Sequence, residues 1–195
     1  MKVLLLNGSP REFGCTYTAL TEVAGALNAN DVETEIMWIG RDSFSGVYEY
    51  GSLIDEFAAK LDDIDGLVIG SPVYYAASSG AISMFLDKAF YTNGGKLRGK
   101  VGASVVSCRR GGASAAFDEL NKYFTINSMP VVSSQYWNQV HGNTPEEVCQ
   151  DEEGMQTMRT LGKNMAWLLK CIELGKQNGI EIPPQEPKTF TNFIR

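Results

Sequence analysis

A doubly wound α/β domain with a five-stranded parallel sheet in the order 2-1-3-4-5 and helices on both faces is predicted by three features of the sequence. Apolar runs such as Val3-Leu4-Leu5-Leu6 and Leu67-Val68-Ile69 lack polar alternation, as strands covered on both faces do. Each run is followed by a segment of helical periodicity, so strands and helices alternate along the chain. Three strands end abruptly in Gly, Ser, Pro or Arg, at the turns where such sheets build ligand sites. Right-handed crossovers leave few topologies, and 2-1-3-4-5 is the economical one.

The elements follow in order. The strand at 2–6 leads into a helical pattern from Thr16 to Asn28, with Leu20, Val23, Ala24 and Leu27 on one face. Val32 to Ile39 reads as the second strand, and 40–51, with its Gly, Ser and Asp, as a loop. Ser52 is placed to cap a helix to Asp62 that buries Leu53, Phe57 and Leu61. Gly66 to Gly70 is the central third strand. A helix from Ala81 to Tyr91 turns Ile82, Phe85, Leu86 and Phe90 inward. Val101 to Val106 is the fourth strand, followed by a helix from Ala113 to Thr125 with Phe117, Leu120 and Phe124 inward. Pro130 to Ser134 is the best fifth strand; 136–142 looks irregular, and a last long helix spans Asp151 to Gly175. From Lys176 the chain carries most of the remaining prolines, suited to packing as extended chain or on a partner subunit.

At 195 residues, without a composition shift, the chain 1–195 reads as one domain. No apolar run approaches the roughly twenty residues that span a bilayer, so no membrane association is expected. The chain starts Met1-Lys2 and enters a strand directly, without a secretory pattern. Cys15, Cys108, Cys149 and Cys171 are widely spaced and form no C-x-x-C pair, which argues against a disulfide framework or zinc site and for a reducing, cytoplasmic setting. A formal charge of −6 argues against a nucleic-acid partner. An anionic ligand would need locally placed donors.

The first turn offers such donors. Asn7-Gly8-Ser9-Pro10-Arg11-Glu12-Phe13-Gly14-Cys15-Thr16-Tyr17 leaves a buried strand for a helix start, whose unpartnered N–H groups and positive dipole end suit a phosphate. Ser9 and Thr16 add hydroxyls, and Arg11 a cation. The stretch is neither a nucleoside-triphosphate P-loop nor a dinucleotide fingerprint, so a smaller ligand is expected. The other reading is a turn whose Ser, Asn and Gly serve only cap geometry. The second loop, Ser71-Pro72-Val73-Tyr74-Tyr75, and the third, Ser107-Cys108-Arg109-Arg110-Gly111-Gly112, converge on the same end of the sheet, which favours a ligand site.

These motifs resemble the flavodoxin-like NAD(P)H-dependent FMN reductases, in the branch that includes the iron–sulfur flavoproteins. Asn7-Gly8-Ser9-Pro10-Arg11 with Thr16 is similar to the family's phosphate loop. Gly70-Ser71-Pro72-Val73-Tyr74-Tyr75, followed by Ser79-Gly80 and Phe85-Leu86-Asp87-Lys88, is similar to its flavin-ring loop. The resemblance spans roughly the first 135 residues. It implies that Ser9, Arg11, Cys15 and Thr16 bind the FMN phosphate, with Cys15, where Asn is usual, contributing its backbone N–H. It also implies that Pro72, Val73, Tyr74 and Tyr75 line the ribityl chain and ring. Iron–sulfur members carry clustered cysteines between the second and third strands; here Arg41 to Tyr48 holds none, so FMN alone is expected.

In the third loop Cys108, Arg109, Arg110, Gly111 and Gly112 are expected to border the cofactor, where the glycines allow close backbone approach. The arginines can grip a nicotinamide phosphate or an acidic substrate, or stabilise reduced flavin, or simply form surface ion pairs. Tyr74 and Tyr75 can stack on a flavin or pack in the core. His141, the only histidine, is either a proton donor or a structural hydrogen-bond partner. Trp137 and Asn138 can border the pocket, and Cys108 is either a redox thiol activated by its arginine neighbour or a small loop residue. The expected activity is hydride transfer from NADPH or NADH through FMN to a small-molecule acceptor such as a quinone, an azo or nitro compound, or a flavin, in a homodimer or higher homo-oligomer. The alternatives are an electron carrier between protein partners and a flavin-free anion-binding domain.

Overall fold

The computed structural model describes residues 1–42 and 50–194. The expected loop at 40–51 lies largely outside the described residues, apart from a 3-10 turn at Gly40–Asp42. The sheet has five parallel strands, β1 (Lys2–Asn7), β2 (Glu33–Trp38), β3 (Gly66–Pro72), β4 (Val101–Cys108) and β5 (Gln139–His141), in the order β2-β1-β3-β4-β5. That is the doubly wound topology the sequence predicts. The helices are α1 (Cys15–Asn28), α2 (Tyr50–Lys60), α3 (Gly80–Leu97), α4 (Ala113–Ile126), α5 (Pro145–Gln150) and α6 (Glu152–Gln177).

Alternation along the strands builds two cores. Leu4 and Leu6 of β1 face a layer that holds Leu53 and Phe57 of α2, Phe85 of α3 and Phe124 of α4. Val3 and Leu5 face the other layer, with Leu20 and Val23 of α1 and Met158, Leu161 and Met165 of α6. All four β1 side chains are fully buried. At about 1.5–3 kcal/mol per buried aliphatic side chain, this two-sided burial fixes the strand's position and register.

The fifth strand corrects the sequence reading. Val131 makes one isolated bridge to Gly102, framed by Gly102 N–H to Pro130 C=O at 2.8 Å and Val132 N–H to Gly102 C=O at 2.8 Å. The next acceptor along β4, the Ser104 carbonyl, takes the Asn138 side-chain amide at 3.0 Å instead of a backbone N–H, and the chain returns as β5 at 139–141, within the stretch read as irregular. The fourth strand runs on through Ser107 and Cys108, so the third loop starts at Arg109. Helix α3 starts at Gly80, capped by the Ser79 hydroxyl on Ile82 N–H at 3.3 Å, and reaches Leu97 rather than Tyr91. Helix α2 is already under way at Ser52, having begun by Tyr50. Residues 178–194 have no regular structure and are exposed; Arg98 donates to the Pro183 carbonyl and Gln185 to the Ser128 hydroxyl. Among the described residues no helix is long and apolar enough to cross a membrane.

Candidate functional site

Asn7, the last residue of β1, is fully buried and shapes the first loop from within. Its amide donates to the Glu12 carbonyl at 2.8 Å, and its side-chain oxygen accepts from Ser9 N–H at 3.1 Å. The Ser9 hydroxyl accepts from Arg11 N–H at 3.1 Å, which leaves its own proton free to donate. The Ser9 carbonyl accepts Trp38 Nε1–H at 2.7 Å, and β2's end lies so close that a Cβ on Gly40 would stand 2.1 Å from it. Helix α1 then starts after Gly14 with no side-chain cap and no acid in its first turn. Its first N–H groups are therefore open to an anion. Thr16 is buried, and its hydroxyl meets that of Ser107 at 2.8 Å, tying the first loop to the end of β4.

The second loop is held against both neighbours. Ser79 donates its hydroxyl to the Gly8 carbonyl at 2.7 Å and its N–H to the Ser71 hydroxyl at 2.9 Å. Val73 N–H donates to the Ser107 carbonyl at 2.9 Å. Beyond it, Tyr74 and Ala77 exchange two backbone hydrogen bonds of 3.0 Å around a tight turn, with Tyr75 at φ +51° and Ala76 at φ +60°. Two consecutive non-glycine residues in the left-handed region cost of order 1 kcal/mol each, a strain typical of ligand clamps. Both Tyr74 and Tyr75 are exposed, Tyr75 fully, so neither packs in the core. In the third loop Gly112 has φ +91°, and a Cβ there would lie 2.8 Å from Ala76 Cα. Only glycine lets the two loops touch at this point.

Cys108 is buried, and burial pushes its thiol up; the N–H of Arg110 pulls the opposite way, and no guanidinium lowers it. That does not suit a thiolate activated by its arginine neighbour. Cys15 is half-buried at the first turn of α1, 3.7 Å from the Gly142 carbonyl, and burial pushes its thiol up as well. Gly142 N–H donates to the Cys108 carbonyl at 3.1 Å, so β5's end closes the site between the first and third loops. His141 is paired with Cys108 across the ladder, and its backbone N–H donates to Asp151 Oδ2 at 2.6 Å. Its ring Nδ1 lies 3.4 Å from the same oxygen. Asp151 also caps α6 through Gly154 N–H at 2.9 Å.

The structure thus gathers Ser9, Arg11, Cys15, Thr16, the 72–75 turn, 108–112 and His141 at one end of the sheet. Asn138 is different: it is buried, donating to the Ser104 carbonyl at 3.0 Å, so it holds β4's edge instead of bordering the surface. Asn7, Ser71, Ser79, Ser107 and Asp151 are shaping residues that the sequence reading included in its loop motifs or at a helix start without giving them a role, although each is a small polar residue at a strand end or helix start. Trp38 gives no local signal.

Residues 1–144 match the family described as NADPH-dependent FMN reductase. The chain belongs to this family. An iron–sulfur flavoprotein of Methanocaldococcus jannaschii is 30% identical over 192 residues, spanning 89% of this chain and 100% of the relative. Among solved structures, a WrbA-like flavodoxin from Agrobacterium tumefaciens superposes with a TM-score of 0.67 at 16% identity, covering 87% of this chain and 97% of that one. An NAD(P)H:quinone oxidoreductase from Methanothermobacter marburgensis gives 0.64 at 15% identity, covering 85% and 96%. The fold is flavodoxin-like, and the FMN reductase family makes this protein a flavin-dependent oxidoreductase.

The residues present fit FMN: an uncapped helix start with two hydroxyls and a cation for a phosphate, and beside it a glycine-floored junction of two loops flanked by tyrosines. They do not fit the cluster for which the relative is named. No cysteine stands between Cys15 and Cys108, while Cys149 and Cys171 are exposed on α5 and α6. Such clusters are held by grouped thiolates.

Proposed function

We propose that this FMN reductase-family protein takes hydride from NADPH or NADH onto FMN and passes the electrons to a small acceptor such as a quinone, an azo or nitro compound, or a flavin. The observation that carries the reading is the meeting of the three strand-end loops: Thr16 on Ser107, Ser79 on Gly8, and Gly112 on Ala76. In this reading the N–H groups of Cys15, Thr16 and Tyr17, the hydroxyls of Ser9 and Thr16, and the Arg11 guanidinium take the phosphate. Pro72, Val73, Tyr74 and Tyr75 line the ribityl chain and one ring edge; the backbone of Cys108, Arg109, Arg110, Gly111 and Gly112 borders the other.

When bound, FMN supplies the acceptance and release of hydride. The protein's own work is placement. The clamped Ser9 carbonyl and the buried Asn7 keep the phosphate loop in one shape. Exposed tyrosines leave a flat apolar surface on which planar acceptors can lie. His141, fixed by Asp151 through its backbone, presents its ring at the site's rim, where it can hand a proton to an acceptor.

A homodimer is part of the proposal. It is supported by the exposed Tyr136 and Trp137, whose rings lie 5.1 Å apart, and by Phe190 and Phe193, exposed on the tail. A cytoplasmic setting is supported by four unpaired cysteines. The test is anaerobic mixing of the FMN-loaded protein with NADPH and with NADH in a stopped-flow spectrometer. Saturable bleaching of the flavin band supports the reductase. No bleaching by either donor overturns it and leaves the electron-carrier alternative.

A further inference from the structure

Among the described residues, five of the 17 lysines and arginines have a carboxylate partner. Lys2 pairs with Glu33 and Glu35, Lys60 with Glu35, Lys96 with Asp62, Arg159 with Glu22 and Lys170 with Asp31. Arg109 and Arg110 have none among the described residues, although the chain carries 23 acids against 17 lysines and arginines. Both side chains are exposed, while the backbone that carries them is fixed. Gly142 N–H holds the Cys108 carbonyl at 3.1 Å, Arg110 N–H faces the Cys108 thiol, and Gly112 lies on Ala76. Asp151, the acid whose charge reaches Cys108, commits one oxygen to Gly154 N–H and the other to His141 N–H. Two guanidinium groups on a fixed rim, without counter-ions in a net-acidic protein, keep their donors for a ligand.

We propose that Arg109 and Arg110 form a second anion subsite, distinct from the phosphate loop, that grips the negative group of the molecule docking over the flavin. The chemistry is a phosphate, sulfonate or carboxylate; the source is the nicotinamide donor or an acidic acceptor. This inference rests on the reductase reading for its ligand, not for its geometry.

The test uses the FMN-loaded chain, the Arg109→Ala/Arg110→Ala variant and the charge-reversed Arg109→Glu/Arg110→Glu variant. One arm measures binding of adenosine bisphosphate by calorimetry. The other measures the ratio of kcat/KM for a sulfonated anthraquinone over that for neutral menadione. One arm falls about 10- to 100-fold, as the loss of one or two charged hydrogen bonds requires, and falls further in the glutamate variant. The arm that falls names the source, and added salt weakens the same arm in the unsubstituted protein. The proposal is overturned when both arms stay within about two-fold of the unsubstituted protein, well short of one charged hydrogen bond. Loss of FMN from both variants also overturns it, since the arginines would then serve the cofactor. Bleaching of the unsubstituted protein by NAD(P)H, recorded alongside, separates failure of this subsite from failure of the reductase reading.

Discussion

The two ends of one sheet treat their polar groups in opposite ways. At the start of the strands, Lys2 lies 3.0 Å and Lys60 2.6 Å from Glu35, Lys2 N–H donates to Asp65 at 2.9 Å, and Lys100 donates to the Ile64 carbonyl at 2.6 Å. Each of these charges has a partner within the chain. At the carboxyl end, α1 starts uncapped, Arg11, Arg109 and Arg110 have no ion-pair partner among the described residues, and Tyr75 and Ala76 sit in the left-handed region. The backbone at that end is nonetheless held as tightly as at the other, by Asn7, Ser79, Ser107 and Gly142. Polar groups left open on a fixed frame are pre-organised for a ligand; those closed on each other contribute only stability.

The sharpest way to break this contrast is Gly112→Val. Its Cβ would meet Ala76 Cα at 2.8 Å with φ at +91°, so the second and third loops must part. FMN affinity should fall about 30-fold or more, for roughly 2 kcal/mol of backbone strain, read by titration of flavin fluorescence. Unchanged affinity would show that this contact does not place the site. Next come Ser9→Ala and Thr16→Val, each expected to weaken FMN by about 10-fold through one lost hydrogen bond to a charged group. Riboflavin binding, which has no phosphate to lose, should barely respond.

Tyr75→Gly should act in the opposite sense on the apoprotein. Relieving a left-handed tyrosine raises stability in urea by about 0.5–1 kcal/mol, while flavin binding weakens. A destabilised variant would show that the turn is not strained. The smallest effect belongs to the closed end. The Lys60 and Lys2 ammonium groups hold the Glu35 carboxyl below its usual range. A pKa lower in the folded state means that the folded state binds fewer protons. The pair's contribution is therefore complete above the unfolded pKa and is lost as the pH falls through the lower, folded one. On a partly exposed pair, Glu35→Gln should cost less than about 1 kcal/mol at pH 7, less as the pH falls through the lowered folded-state pKa, and leave FMN affinity unchanged.

Strand order and the first two loops were legible in the sequence because they rest on local signals: apolar runs buried on both faces and small polar residues at strand ends. The fifth strand was not. Its three residues are too few to carry a period, and the more apolar 130–134 run, which makes one bridge to β4, masked it. Pairwise facts such as Trp38 on the Ser9 carbonyl, Thr16 on Ser107 and Gly112 on Ala76 join residues far apart in the chain. No window of sequence contains them. The exposure of both Tyr74 and Tyr75 follows from the turn's backbone, which two non-glycine residues in the left-handed region do not announce.

The most direct test of the central claim compares FMN with riboflavin on the apoprotein by calorimetry. A phosphate seated on the uncapped start of α1 predicts FMN tighter by about 100-fold or more, as two or more charged hydrogen bonds supply, with the gap narrowing in the Ser9→Ala/Thr16→Val double variant. Equal affinities for the two flavins, or a gap that both substitutions leave unchanged, would contradict it.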